Sequence, residues 1–218
     1  MEPETKMKLG GISGILSGIL SIIFPFTLNL IQKIQFTEDV ISFASQSFSV
    51  FTITGLLSIF TGVFYFLFGV GFLGGGKKFE KVFGGLKRRI SIVIGIVAFL
   101  LCISYIILGA SLLNLAYLFQ VIVAGTIYKS SDEAIRALMH GLSGTLVGIL
   151  LIIAFSFILS VFAMVYFFEL PKGELGVIGG AFSFLGFIVG IVVSTGWILN
   201  SVGTILMGIC LFLQSSTQ

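Results

Sequence analysis

Lys77-Lys78-Phe79-Glu80-Lys81-Val82-Phe83-Gly84-Gly85-Leu86-Lys87-Arg88-Arg89 holds six of the 12 basic residues in this 218-residue chain, and no charge stands in 40–76 before it or 90–128 after it. Charge is costly in hydrocarbon, so a basic island between long uncharged runs reads as a loop joining two membrane-spanning helices. Further out, 9–32 and 175–218 are uncharged as well. The chain is 57% hydrophobic and 10% charged, against roughly 25% charged in soluble domains. That excludes a soluble core of this size. It predicts an all-α fold, a polytopic transmembrane helix bundle forming a single domain over 1–218.

A helix crosses the hydrocarbon layer of ~30 Å in ~20 residues, so 9–31, 49–73 and 142–167 each read as one span. Lys6 and Lys8 precede the first run as in a signal peptide, but no small-x-small cleavage site follows it, and we read it as a true span. The closing run from Gly176 to Ser216 would make a helix of about 61 Å, twice the membrane, and should fold back near Thr195-Gly196 or Asn200-Ser201. This places spans at about 176–195 and 199–215, with Trp197 at headgroup level. The run after Ile90 gives a span over 90–113. Residues 115–128 are short for another and read as an interfacial or protruding continuation, with a seventh span as the alternative. Residues of about 129–140 read as an amphipathic surface helix: Ser130 and Glu133 have capping-box spacing, and Ala134, Ile135, Leu138 and Met139 supply an apolar side.

With six spans, Lys6, Lys8, the basic loop 77–89 and Lys172 lie on one side, and Lys33, Lys129 and Arg136 on the other. The positive-inside rule then makes the loop and both termini cytoplasmic.

Phe79, Val82, Phe83 and Leu86 recur at helical spacing, so a short helix would lay them on the bilayer while Lys77, Lys78, Lys81, Lys87, Arg88 and Arg89 meet anionic headgroups. The plainer reading of these six is a topology anchor. Pro25, inside the first span, deprives the Ser21 carbonyl of its helical partner, and Asn29 lies one turn on. Ser21, Pro25 and Asn29 thus mark a candidate helix break of the kind that lines transport sites, with a simple kink as the plainer reading. Gly10, Gly14 and Gly18, Gly55, Gly62 and Gly69, Gly144 and Gly148, and Gly186 and Gly190 form strips that let backbones approach closely. Most must serve packing within the chain. A strip left over would suit a second copy.

Cys102 and Cys210 lie in apolar runs and form no disulfide or metal pattern, and His140 is the only histidine. Gln32, Asn114 and Asn200 fall near span ends and read as interface or cap residues. Gly74-Gly75-Gly76-Lys77-Lys78 lacks the spacing of a phosphate loop. No haem, quinone or flavin ligand set is present, so we expect no cofactor, and the localised positive charge gives no face for nucleic acid. Membrane enzymes need paired carboxylates, histidine clusters or a nucleophile with its base at depth, so we expect no enzyme.

Residues 11–23, Gly-Ile-Ser-Gly-Ile-Leu-Ser-Gly-Ile-Leu-Ser-Ile-Ile, match 141–153 at 9 of 13 positions. The two would run in opposite directions, as in the inverted repeats of secondary transporters, although a shared Gly, Ser, Ile and Leu alphabet explains the echo as well. Lys8-Leu9-Gly10-Gly11-Ile12 and Gly203-Thr204-Ile205-Leu206-Met207-Gly208-Ile209 resemble the small Gly- and Ile-rich multi-pass membrane proteins of unknown function found widely in archaea. That resemblance implies a prokaryotic plasma-membrane protein. We expect a non-enzymatic scaffold or accessory subunit of an envelope complex, contacting membrane lipids and a membrane-protein partner or a second copy. The alternative is a small transporter or channel built on a three-plus-three inverted repeat.

Overall fold

Backbone in hydrocarbon has no water to bond, so it must close its hydrogen bonds within its own segment. In the computed structural model the apolar runs do so as α1 (Pro3–Lys33), α2 (Val40–Phe83), α3 (Gly85–Val123), α4 (Ser131–Phe167), α5 (Glu174–Val192) and α6 (Gly196–Ser215). The structure describes residues 1–33, 40–123, 131–168, 170–192 and 196–216, and within them every side chain except those of 24, 25, 28–33, 40–45, 81, 122, 123, 131–135, 137, 191 and 192. All regular structure among these residues is helical. Helices α1, α2, α3, α4 and α6 are each long and apolar enough to cross a membrane, while the apolar α5 has 19 residues. The chain is an integral, multi-pass membrane protein.

Neighbouring helices pack in chain order, and α6 returns to α1, so the six close a ring that α2 and α6 bridge. Glycine sets the seams. Gly10 of α1 meets Gly71 of α2, Gly14 meets Gly208 of α6, Gly109 of α3 meets Gly55 of α2, and Gly203 of α6 meets Gly179 of α5. Without hydrophobic drive between helices in lipid, such backbone approach supplies the packing contact. The interior is filled, mainly toward the basic end, by Tyr65, Phe68, Phe72, Tyr166, Phe167 and Met207. Hydroxyl groups at depth bond locally: Thr54 to Val50, Ser58 to Thr54, Thr61 to Leu57 and Ser104 to Leu100 all run to the carbonyl four residues back.

Gly84, with φ of 72°, forms the one-residue joint between α2 and α3, where a Cβ would be strained. At 44 residues α2 is about 66 Å long, far more than a span requires. The expected separate surface helix of about 129–140 is not observed: residues 131–140 are the first turns of a continuous α4. Likewise 115–123 continue α3. The reason is packing, because Gly141 seats on Leu115 and Gly144 on Ser111, and a helix lying flat on the membrane would lose that support. Phe157 against Phe184 sets the register of α4 on α5, so α5 ends near the middle of α4 and the first half of α4 rises beyond it.

Candidate functional site

The last four carbonyls of a helix lack partners within it, and the helix dipole leaves that end negative. Two lysines of the basic loop answer this at the ends of other helices. Lys87, only 4% exposed, donates from Nζ to the carbonyls of Val165, Tyr166 and Phe168 at the end of α4. Lys78 donates to the carbonyls of Gln214 and Ser215 at the end of α6, 3.4 and 3.0 Å away, and pairs with Glu4 of α1 at 3.0 Å. One ammonium thus ties α1, α2 and α6 together, and the other ties α3 to α4.

The expected row of six lipid-facing cations is therefore divided. Lys78 and Lys87 are turned into the protein, where the carbonyls at the ends of α6 and α4 accept from them. Arg88 reaches Glu80 at 2.8 Å, Lys77 and Arg89 are exposed, and the Lys81 side chain lies outside the described residues. The expected apolar face is divided too. Phe79 is buried and Phe83 packs against the core, whereas Val82 and Leu86 are exposed at the hairpin tip.

Helix α1 continues through the expected break, from Pro3 to Lys33; the side chains of Pro25 and Asn29 lie outside the described residues. Ser21 turns inward. Its hydroxyl is buried beside those of Tyr65 and Tyr105, without a well-formed hydrogen bond to either. The two tyrosine rings stack at 5.4 Å. From there polar groups continue across the ring: Tyr65 Oη lies 3.4 Å from Thr204 Oγ1, Thr204 donates to the Asn200 carbonyl at 3.0 Å, and Ser183 Oγ donates to Asn200 Oδ1. Because Thr204 spends its proton on Asn200, Tyr65 is the donor to Thr204.

This seam joins α1, α2, α3, α5 and α6 at depth without a charge. Comparison with protein-family models, curated proteins and solved structures finds no match for the chain. What the seam can do therefore rests on its own chemistry. Neutral hydroxyls and one amide can hold helices together or line a path for a neutral solute. Among the described residues no three of His, Cys, Asp and Glu gather in a way that could hold a metal ion. His140 is exposed at the far end, and its carbonyl accepts from Ser143.

Asn200, expected near a span end as a cap, is instead 4% exposed inside α6, because α6 starts four residues earlier, at Gly196. Asn200→Leu should lower stability by about 1–3 kcal/mol, since it leaves the Ser183 hydroxyl buried without its acceptor. Adding Ser183→Ala should recover part of that loss. Thermal unfolding of both variants in detergent measures the difference, and equal midpoints for wild type and Asn200→Leu would refute the pairing.

Proposed function

We propose that this chain is a non-enzymatic scaffold or accessory subunit of a cell-membrane complex, with its basic hairpin and both termini in the cytoplasm. The observation carrying this reading is the exposed face of the first half of α4, on the side turned away from α3. Of the five long helices α4 is the least buried, at 33% of its apolar window, against 50% for α3 and α6. Met139, Leu142, Leu146 and Leu150 are each at least half exposed on the part that rises beyond α5. A partner's helix laid along this face would bury them as α3 buries the opposite side.

Among the described residues, every glycine except Gly84 and Gly85 has another part of the chain within 4 Å of where a Cβ would stand. This argues against self-association through a spare glycine strip. A photo-crosslinking residue at Leu146 should capture a distinct membrane protein in native membrane, whereas one at the exposed Ile12 of α1, across the ring from α4, should not. Isolation of the chain as a lone monomer, with no adduct at Leu146, would defeat the scaffold reading. Labelling of a cysteine placed at Val82 only after the cell is opened is the result expected for a cytoplasmic hairpin.

One observation favours the transporter alternative. The echoed glycines take similar places in the ring: Gly11 and Gly18 face α6, with Gly14 between α6 and Phe68 of α2, and Gly141, Gly144 and Gly148 face α3, the two junctions between the chain's halves. Unequal lengths oppose a full repeat, with 44 residues in α2 against 19 in α5, and 39 in α3 against 20 in α6. Cysteines at Ser21 and Thr204 decide it: reaction with a small hydrophilic thiol reagent supports a path, and inertness of both removes it.

A further inference from the structure

Lys77 and Arg89 stand where two lipid-facing stripes meet. On α2 the exposed stripe runs through Phe66 and Leu73 to Lys77, one turn further on; on α3 it runs from Arg89 through Ile96 to Phe99. The stripes adjoin, since the Phe66 and Phe99 rings meet edge to face at 6.0 Å and Leu73 lies against Gly95. Gly76 sits opposite Ser91 and Arg88, a register that brings Lys77 and Arg89 to one level of the hairpin. Glu80 is engaged by Arg88, and neither Lys77 nor Arg89 forms an ion pair among the described residues. The result is a continuous apolar track ending in two cations that no described carboxylate neutralises.

We propose that this seam binds an anionic phospholipid. The Arg89 guanidinium and the Lys77 ammonium hold the phosphate, and an acyl chain lies along Phe66, Leu73, Ile96 and Phe99. A guanidinium matches phosphate through paired hydrogen bonds, and a basic site between helices at the membrane surface is the setting in which anionic headgroups are recognised. This differs from a topology anchor, where only the sum of positive charge on one side counts. Lys78 and Lys87 contribute nothing here, because helix ends occupy them.

The full chain in mild detergent, mixed with equal amounts of phosphatidylglycerol and phosphatidylcholine of the same acyl chains, provides the test, with bound lipid counted by native mass spectrometry. Wild type should retain phosphatidylglycerol preferentially. K77Q/R89Q should lower its affinity by about 30-fold, the equivalent of about 2 kcal/mol, leaving phosphatidylcholine unchanged. K6Q/K8Q, which removes as much charge from the same end, should keep the preference, and F99A should weaken both lipids alike. Preference that survives K77Q/R89Q, or that falls equally with K6Q/K8Q, overturns the site; F99A without effect overturns the acyl track. Both replaced cations are exposed, so loss of folding does not confound the comparison.

Discussion

Lys87→Met should be the most damaging single change to a charged residue in this chain, lowering stability by about 3–5 kcal/mol. Methionine keeps the apolar stem but leaves the carbonyls of Val165, Tyr166 and Phe168 facing a thioether instead of an ammonium. Hydrogen bonds from a charged donor contribute about 1.5–3 kcal/mol each before the cost of burying the charge is subtracted, and the favourable charge at the end of α4 goes with them. Thermal unfolding in detergent should show a drop of about 10 °C, at roughly 2–4 °C per kcal/mol for a chain of this size. Lys77→Met serves as the control, because the Lys77 side chain is exposed and caps no helix end; it should leave the midpoint within about 1 °C. Equal midpoints for both variants would show that Lys87 is not a cap.

The membrane setting was legible because charge is excluded from hydrocarbon residue by residue, and the exclusion is written directly into the order of the chain. The roles of the hairpin lysines were not. Lys87 meets carbonyls 78 to 81 positions away and Lys78 meets carbonyls 136 and 137 positions away, and composition carries no sign of which helix end will arrive beside which cation. The amphipathic pattern of 129–140 predicts a surface helix, yet α4 runs straight through, because the support that Leu115 and Ser111 give it depends on how far α3 extends. Asn200 shows the same limit. Its place one turn into α6, bonded by Ser183, follows from where the closing hairpin turns, which the run of apolar residues leaves open by several positions. Glycine strips were legible as strips, while their partners were not: Gly18 faces α6, Gly10 faces α2, and Gly14 lies between the two.

Gly203→Val should prevent α5 and α6 from closing and largely abolish the folded protein. A Cβ at Gly203 would stand 2.4 Å from the Gly179 carbonyl oxygen and 2.4 Å from the Ser183 nitrogen, both backbone atoms with no rotamer through which to retreat. Overpacking typically costs about 1–3 kcal/mol when side chains can shift, and more when two backbones must separate. Separation here would also part Ser183 from Asn200, and with it the seam that continues through Thr204 to Tyr65. Gly85→Val tests whether bulk alone is at fault, because nothing lies within 4 Å of a Cβ there. Gly85→Val should yield monodisperse protein at the wild-type level, and Gly203→Val should yield little, with rapid proteolysis between α4 and α5. A Gly203→Val protein as stable as wild type would mean that α5 and α6 do not approach through their glycines, and the ring would have to close in another way.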